Sequence, residues 1–500
     1  MKILEWISVI ALSITWICCL FQWRRHPKMR MLLPAIAVLI SAAQYVVEGF
    51  FLQMTMVYIL AGALFLSGIP SLFRKPVRLT AHVPVRQMER KTGSHPAKTG
   101  IGRRILKVFA IIIISLLVII SVALPAVFPT RPLPTGPYKV AQTSFEWVDE
   151  SRPETFSVNP DDHRDLMVTV WYPANPVDLN SSAAPAKEGS QPDIAGDQDS
   201  YPVLIFSHGY GLSVSSYAIL LEDIASHGYV VFGIDHPYEA SAVDYPDGRV
   251  VYPSKDAIDF LNSDKQKEVN SLLDQYKAAA DPGTKDSLIR QADRLSEDIT
   301  QKSLGIWTDD TVFVLNKIRE LNQGVTLNTF IGHLDLDKVG VFGHSFGGAV
   351  AGLTCLKDSR FKAGINMDGI QFGEYDYFAN NIMLQPFMEM TSDDGVPGVN
   401  DFMFSHISNW TYRLHITGAR HNNFTDIPMY VPVFRESTSI SGGPIDPFRM
   451  KTIVDGYILA FFDKHLKGID SQLLTETSGA DAHPVSAFPE VSCQAHDPAR

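Results

Sequence analysis

The chain has 500 residues, of which 46% are hydrophobic, and a formal net charge of −11. Its charge is unevenly divided, since residues 1–130 hold 15 Lys or Arg and three Glu, whereas the remainder holds 28 basic and 51 acidic residues. The length exceeds one ordinary domain, and the acidic remainder offers no basic face for nucleic acid. No nucleic-acid partner is therefore expected. No protein partner is predicted either, and the four scattered cysteines predict no disulfide framework.

Four apolar stretches in the first 128 residues each approach the roughly 20 residues that a helix needs to cross a bilayer. They are residues 3–21, 31–47, 50–69 and 108–128. Basic residues separate the first stretch from the second and fill residues 70–107, and positive loops remain in the cytoplasm. The sequence therefore predicts a four-helix transmembrane region over 1–128, with everything after it outside a cell membrane.

Residues 129–137 are rich in proline and predict a stiff tether between the last span and the next domain. From residue 138 to residue 468, short apolar strands alternate with helices, which is typical of a mostly parallel sheet covered on both faces. Strands are predicted at 165–172, 201–207, 229–235, 337–342, 363–367, 385–391 and 412–417. Helices are predicted at 217–227, 307–321 and 447–466.

Two segments depart from this alternation. Residues 253–304 form a polar helical insertion, which is either a lid over a pocket or a solvated addition to the outside of the domain. Residues 469–500 predict a disordered tail. The mobile-loop composition of residues 175–200, rich in Pro, Ala, Ser and Asp, indicates a surface connection.

The pentapeptide Gly343-His344-Ser345-Phe346-Gly347 lies between an apolar strand pattern and a helix of small residues. In this strand–turn–helix context a serine is held on a sharp turn, with its hydroxyl above the edge of a sheet. The context favours Ser345 as the nucleophile of an α/β-hydrolase fold. The alternative is an ordinary glycine-rich connection.

A serine hydroxyl needs a neighbouring base, which in this fold follows it along the chain. His421 follows a strand and lies in a loop, where an imidazole can reach over the sheet edge. His406, His415 and His465 lie within predicted helices or a strand, positions that usually serve packing or the surface. His421 is therefore the predicted base.

The base in turn needs a carboxylate to orient it. Asp368 ends the strand after the nucleophile helix, and Asp393 and Asp394 end the next strand. Spacing alone does not separate these candidates.

An oxyanion hole requires two backbone N–H groups directed at the developing charge. Phe346, directly after the nucleophile, supplies one, and Tyr210, in the loop after an early strand, supplies the other. His208 in the same loop is expected to form structural hydrogen bonds.

The motifs taken together resemble a known family. They are Thr135-Gly-Pro-Tyr138, Phe206-Ser-His-Gly-Tyr-Gly211, Ser226-His-Gly-Tyr229, Gly343-His-Ser-Phe-Gly-Gly348, Met367-Asp-Gly369 and Gly418-Ala-Arg-His-Asn-Asn-Phe424. In these segments the chain is similar to the plasma-type platelet-activating factor acetylhydrolases, also called lipoprotein-associated phospholipase A2, and their bacterial relatives. The resemblance implies Asp368 as the acid, His421 as the base, and Tyr210 and Phe346 as oxyanion donors, with no cofactor and no metal.

The resemblance also implies the substrate class, and the four predicted spans imply the membrane anchor. We expect a membrane-anchored serine esterase that hydrolyses short or oxidised acyl esters of phospholipids through an acyl-enzyme, with lipid substrate and the cell membrane as its partners. A carboxylesterase or amidase that acts on non-lipid esters is the first alternative. A membrane sensor or scaffold with a non-catalytic, hydrolase-like domain is the second.

Overall fold

The computed structural model describes residues 3–21, 29–48, 55–68, 131–175, 193–261, 263–296, 301–326, 328–373, 375–430, 442–475, 479–485 and 487–497. The chain divides into two compact units. One comprises Met1–Thr130 with Tyr430–Val433, and the other comprises Arg131–Met429 with Phe434–Arg500.

The described residues of the first unit form three helices, α1 (Ile3–Phe21), α2 (Met29–Glu48) and α3 (Thr55–Gly68), which overlap the first three apolar stretches. Among the described residues, no helix combines the length and the apolar character needed to cross a membrane. α3, for example, has 14 residues, about 21 Å at the helical rise, against a hydrocarbon core of about 30 Å. The predicted four-helix transmembrane segment therefore lacks support here, and its residues 70–107 and 108–128 lie outside the described residues.

The second unit is built on a large mixed sheet. Its strands are β1 (Lys139–Pro153), β2 (His163–Ala174), β3 (Tyr201–Ser207), β4 (Val230–Asp235), β7 (Leu334–His344), β8 (Phe361–Met367), β9 (Phe387–Thr391), β10 (Thr411–Ile416), β11 (Gly479–Val485) and β12 (Phe488–His496). Their order is β1-β2-β4-β3-β7-β8-β9-β10-β12-β11. The six central strands run parallel, and the outer pairs on both sides are antiparallel. The prediction of a mostly parallel sheet thus describes the centre, and both edges depart from it.

Helices cover both faces of this sheet. They include α4 (Ala218–Ser226), α8 (Lys302–Gln323), α9 (Phe346–Lys357) and α13 (Pro447–Phe462). Successive residues of β3 point to opposite faces: Leu204 and Phe206 pack with α4 and α13, whereas Val203 and Ile205 pack with α8 and α9. This arrangement of a central sheet between two helical layers is the one that the sequence predicted, and it is consistent with an α/β hydrolase.

The predicted insertion, residues 253–304, contains three helices: α5 (Lys255–Leu261), α6 (Asp264–Ala278) and α7 (Pro282–Ser296). A small hairpin of β5 (Val243–Asp244) and β6 (Val250–Val251) precedes it and was not predicted. α8 begins at Lys302, so the end of the predicted range 253–304 belongs to a helix of the main domain. Further short helices in the described residues are α10 (Tyr375–Asn380), α11 (Asp401–Phe404), α12 (Ile427–Tyr430) and α14 (Gln472–Thr475).

The prediction of a disordered tail after residue 468 is wrong for the residues that the structure describes. β12 pairs with β10 from Thr411 opposite His496 to Ile416 opposite Val491. Alternate residues of β12 are buried, among them Val491 and Cys493, each 1% exposed. The strand therefore extends the core. Polar residues lie between its apolar positions, so the sequence did not indicate a strand.

Residues 131–137 of the predicted tether form hydrogen bonds to the domain, which the sequence did not predict. Thr135 N–H donates to Asp223 Oδ1 at 2.5 Å, and Gly136 N–H donates to Ser226 Oγ at 2.9 Å. Both acceptors belong to α4. The segment is thus bound to the domain, and it leads into β1, an edge strand that the sequence did not predict.

A buried ion cluster joins β2, the loop after β4 and α8. Asp310 Oδ2 lies 2.8 Å from Arg164 Nη2 and 2.8 Å from His236 Nδ1, and Arg164 Nη1 lies 2.9 Å from Glu154 Oε2. Burial would raise the pKa of Asp310, but Arg164 and His236 outweigh it and hold that pKa below its usual range. Removal of any one member would leave a buried charged or polar group without its partner.

We predict that Asp310→Asn lowers the free energy of unfolding by about 3–5 kcal/mol, because it leaves the buried Arg164 guanidinium without its main counter-charge. Urea denaturation followed by circular dichroism measures this loss. Asp264→Asn is the matched control, since Asp264 forms an ion pair with Lys267 on the surface, and surface pairs contribute little. An unchanged urea midpoint for Asp310→Asn would contradict the interpretation.

Stability is also expected to fall in mild acid. Burial lowers the pKa of His236 to about 4 from an ordinary value of 6.5, although Asp310 opposes the shift. The neutral ring therefore contributes stability fully above about pH 6.5, and this contribution is lost as the pH falls towards 4. Urea midpoints between pH 7.5 and pH 5 measure the slope. His236→Gln should flatten it, and parallel curves for the two proteins would count against this assignment.

Candidate active site

Ser345 occupies the sharp turn between β7 and α9. Its backbone angles are φ 56 and ψ −120, a conformation that costs a non-glycine residue about 1–3 kcal/mol. Two hydrogen bonds hold it: Ser345 N–H donates to Met367 O at 2.8 Å, and Ser345 O accepts Gly348 N–H at 2.9 Å. A side chain at Gly347 would collide with the carbonyl groups of Ser207 and His208, so the turn requires glycine there.

Asp368 follows β8 and also has a positive φ, of 57. Its carboxylate is buried and accepts two hydrogen bonds from Ser392, from N–H to Oδ1 and from Oγ to Oδ2, each 2.8 Å long. His421 Nδ1 lies 2.7 Å from Asp368 Oδ2. Burial would raise the pKa of Asp368, but the bonds from His421 and Ser392 outweigh it, so the pKa is lowered.

The other two candidate acids make different contacts. Asp393 Oδ2 accepts Gly418 N–H at 2.8 Å, and its Oδ1 lies 3.2 Å from His415 Nε2. Asp394 Oδ2 accepts the backbone N–H of His421 at 3.4 Å. The structure thus brings Asp368 to the imidazole of His421, and it brings Asp394 to the backbone of the same residue.

The three other histidines considered as the base, His406, His415 and His465, have local partners. His415 lies in β10 beside Asp393. His406 Nδ1 lies 2.7 Å from Phe402 O. His465 packs on the Phe461 ring, with centroids 4.8 Å apart. With its Nδ1 bound to Asp368, His421 keeps Nε2 for a group in the cavity that it lines.

The loop after β3 carries the predicted oxyanion donor. Gly209 O accepts Leu212 N–H at 3.0 Å and lies 2.8 Å from His208 Nδ1. In a trans peptide the N–H points opposite to the carbonyl, so these bonds turn Tyr210 N–H away from them. Phe346 N–H lies in the first turn of α9, where helical N–H groups lack intrahelical acceptors. Burial lowers the pKa of His208 to about 3, which suits a structural role.

Aromatic packing supports this loop from below. The Tyr210 ring stacks with Trp307 at 6.1 Å between centroids, and Trp307 also stacks with His236 at 3.8 Å. The indole Nε1 donates to Glu239 Oε2 at 2.6 Å. Glu239 O in turn accepts Gly211 N–H at 2.9 Å. α8 therefore supports the oxyanion loop through a ring stack and a buried carboxylate.

All five predicted site residues line one cavity of about 280 Å³. Those residues are Tyr210, Ser345, Phe346, Asp368 and His421. Much of the remaining wall is apolar and includes Val269, Ile370, Phe372, Val396 and Val399. Within the described part of the chain, no group of three or more His, Cys, Asp or Glu residues is arranged to hold a metal ion.

Sequence reasoning missed two polar groups of the site. Ser392 supports Asp368, and only its place directly after β9 could have suggested this. Glu389 lines the cavity, where it accepts a hydrogen bond from Asn400 Nδ2 at 2.6 Å and lies 3.1 Å from Arg413 Nε. Burial raises the pKa of Glu389.

The insertion forms one wall of the cavity. Gln266 and Val269 of α6 and Ser296 of α7 line it. Tyr276 Oη donates to Gly398 O at 2.7 Å, which ties α6 to the loop after β9, and Asp293 Oδ1 accepts Gly373 N–H at 2.6 Å. The insertion therefore encloses the site, and it does more than cover the outside of the domain.

The chain is similar to known proteins in sequence and in fold. A family model described as platelet-activating factor acetylhydrolase, isoform II, matches residues 174–475. A probable 1-alkyl-2-acetylglycerophosphocholine esterase from Arthroderma benhamiae is 25% identical over 437 residues, covering 74% of this chain and 95% of that protein. A platelet-activating factor acetylhydrolase from Cavia porcellus is 27% identical over 315 residues, covering 62% and 67% respectively.

Among solved structures, a ferulic acid esterase from Streptomyces cinnamoneus is similar with a TM-score of 0.52 and 25% identity, over 72% of this chain and 98% of that one. These relatives are named as ester-hydrolysing enzymes. The prediction of an ester hydrolase is therefore confirmed at the level of enzyme class. Because the family model spans more than half of its length, this chain belongs to the platelet-activating factor acetylhydrolase, isoform II, family.

Proposed function

We propose that this chain is a serine esterase that hydrolyses short or oxidised acyl esters of phospholipids through Ser345, His421 and Asp368. One observation carries the proposal: His421 Nδ1 lies 2.7 Å from Asp368 Oδ2, at a cavity that Ser345 also lines. A buried carboxylate bound to Nδ1 is the arrangement that lets Nε2 act as a base.

The proposed reaction proceeds through an acyl-enzyme. Ser345 Oγ attacks the ester carbonyl and gives its proton to His421 Nε2. The N–H groups of Tyr210 and Phe346 stabilise the tetrahedral oxyanion. His421 then protonates the departing alcohol, and water activated by the same imidazole hydrolyses the acyl-enzyme. Asp368 holds the imidazole tautomer and stabilises the imidazolium.

The dimensions of the cavity favour a short acyl group. Its volume of about 280 Å³ falls at the low end of the roughly 300–1,000 Å³ that is usual for small-molecule sites. Its apolar wall, with Val269 from the insertion, suits hydrocarbon. The name of the Arthroderma benhamiae relative refers to 1-alkyl-2-acetylglycerophosphocholine, and that of the Cavia porcellus relative refers to platelet-activating factor. These names support the lipid assignment.

The proposal includes anchoring in the cell membrane, with the hydrolase domain outside the cytoplasm. It rests on the apolar stretches of the first 128 residues and on the 15 basic residues of residues 1–130. Separation of membrane and soluble fractions, with protease accessibility of the second unit in intact cells, tests it.

A second candidate is an esterase for non-lipid esters. The structural similarity to a ferulic acid esterase favours it. A hydroxycinnamoyl ester that is turned over faster than any acetyl-phospholipid would select this function.

We predict that the full chain hydrolyses p-nitrophenyl acetate and acetyl-phospholipids, with kcat/KM falling steeply as the acyl chain lengthens. A fluorophosphonate probe should label the wild-type protein and fail to label folded Ser345→Ala, since the probe reacts with an activated serine hydroxyl. Activity that survives in Ser345→Ala, or an absence of labelling in the folded wild type, would refute the serine mechanism.

We predict that Asp368→Asn lowers kcat on p-nitrophenyl acetate by about 10⁴-fold, because the amide favours the wrong imidazole tautomer. Asp393→Asn provides the matched control, since Asp393 contacts His415 and Gly418 and should retain activity near the wild-type level. If the two variants lose activity equally, Asp368 does not have the role proposed here.

A further inference from the structure

A buried tyrosine–histidine pair lies beneath the candidate active site. Tyr217 ends a 3₁₀ turn at Val214–Tyr217, and His344 is the last residue of β7, directly before Ser345. Tyr217 is 0% exposed and His344 is 1% exposed. The Tyr217 hydroxyl oxygen lies 2.8 Å from His344 Nδ1.

The neighbouring groups determine which atoms carry the protons. His344 Nε2 lies 3.0 Å from the carbonyl oxygen of His421, which only accepts, so Nε2 carries a hydrogen. Burial lowers the pKa of His344 well below its ordinary value, so the ring is neutral and Nδ1 is an acceptor. The Tyr217 hydroxyl therefore donates to Nδ1, and its oxygen accepts Gly209 N–H at 3.0 Å.

These bonds form one directed chain. It runs from Gly209 N–H to the Tyr217 hydroxyl, from that hydroxyl to His344 Nδ1, and from His344 Nε2–H to the backbone carbonyl of His421. One end precedes Tyr210, the proposed oxyanion donor, and the other end is the proposed base. The chain therefore connects the two loops that flank Ser345.

The groups of this hydrogen-bond chain are closely packed. A methyl group added at Gly209 would lie 3.1 Å from His344 Nδ1, 3.2 Å from the Tyr217 hydroxyl oxygen and 3.3 Å from Ser345 Cβ. The rings of His344 and His421 are 4.5 Å apart between centroids. A displacement of either loop would therefore be transmitted to the other through bonded and packed groups.

We propose that Tyr217 and His344 are positioning residues that hold the oxyanion loop and the His421 loop in register on either side of Ser345. This inference rests on the proposed function, because it assigns the pair a role in that reaction. The expected effect is on turnover, since a misplacement of about 1 Å between reacting groups can lower a rate by about 100-fold. A pair that served only the core would change stability without this effect on turnover.

The first test is Tyr217→Phe, which removes the hydroxyl and keeps the ring. With p-nitrophenyl acetate, kcat should fall by about 10- to 100-fold while KM changes little. Tyr229→Phe is the matched control, because Tyr229 is also 0% exposed and its hydroxyl donates to Asp463 at 2.7 Å. That variant loses a buried hydroxyl away from the site and should keep the wild-type kcat.

The second test substitutes His344. His344→Phe removes both hydrogen bonds, and His344→Gln restores an N–H donor for the His421 carbonyl, so Gln should recover part of the kcat that Phe loses. In a double-mutant cycle on kcat, Tyr217→Phe should cost little in a His344→Phe background, because the chain is already broken. Circular dichroism and thermal midpoints identify the folded variants. If His344→Phe does not fold, His344→Gln takes its place in the comparison of kcat.

The outcomes separate this inference from the function on which it rests. If the wild-type protein neither hydrolyses p-nitrophenyl acetate nor reacts with a fluorophosphonate, the proposed function fails. If it does both, the inference is overturned by any of three results: Tyr217→Phe with the wild-type kcat, independent effects of the two substitutions, or an equal loss of kcat in Tyr229→Phe.

Discussion

The geometry of the candidate site depends on the register of three parallel strands. The ladder continues one residue past the ends of β7 and β8: Ser345 N–H reaches Met367 O at 2.8 Å, and Asp368 N–H reaches Met390 O at 2.7 Å. Ser345 and Asp368 both have a positive φ. The backbone therefore turns away after β7 and after β8 at the same edge of the sheet. Because side chains alternate along a strand, a slip of one residue would reverse which of them face the cavity. The hydrogen bonds that fix the register also stabilise these two strained backbone conformations.

Burial divides the histidines around that edge into two groups. It lowers the pKa of His208, His236 and His344, and each ring lies within hydrogen-bond distance of a carbonyl or carboxylate oxygen. These rings are neutral and serve as fixed donors and acceptors of a buried polar scaffold. The side chain of His421 is 41% exposed and lines the cavity, so it is accessible to a bound molecule. Depth thus separates structural imidazoles from the one proposed for proton transfer.

The sequence predicted the centre of the sheet well, because buried parallel strands are continuous apolar runs. It missed β1 and β12, whose half-exposed faces insert polar residues between the apolar ones. Three candidate carboxylates were found at the ends of predicted strands. Spacing could not distinguish among them, because Asp368 and His421, which are in contact, lie 53 positions apart in the sequence. Among the three carboxylates, only the family resemblance implied Asp368. Tyr217 carries no motif at all, and its role depends on a long-range approach that local pattern does not encode.

The position of Trp307 has an optical consequence. Its indole stacks with His236 and with Tyr210, and it contacts the Phe346 ring edge-to-face at 5.0 Å. A fluorophore therefore sits directly against both residues that would donate to the oxyanion. Indole emission is sensitive to the local electrostatic field. Stopped-flow fluorescence could follow acylation from inside the protein, without a coloured leaving group.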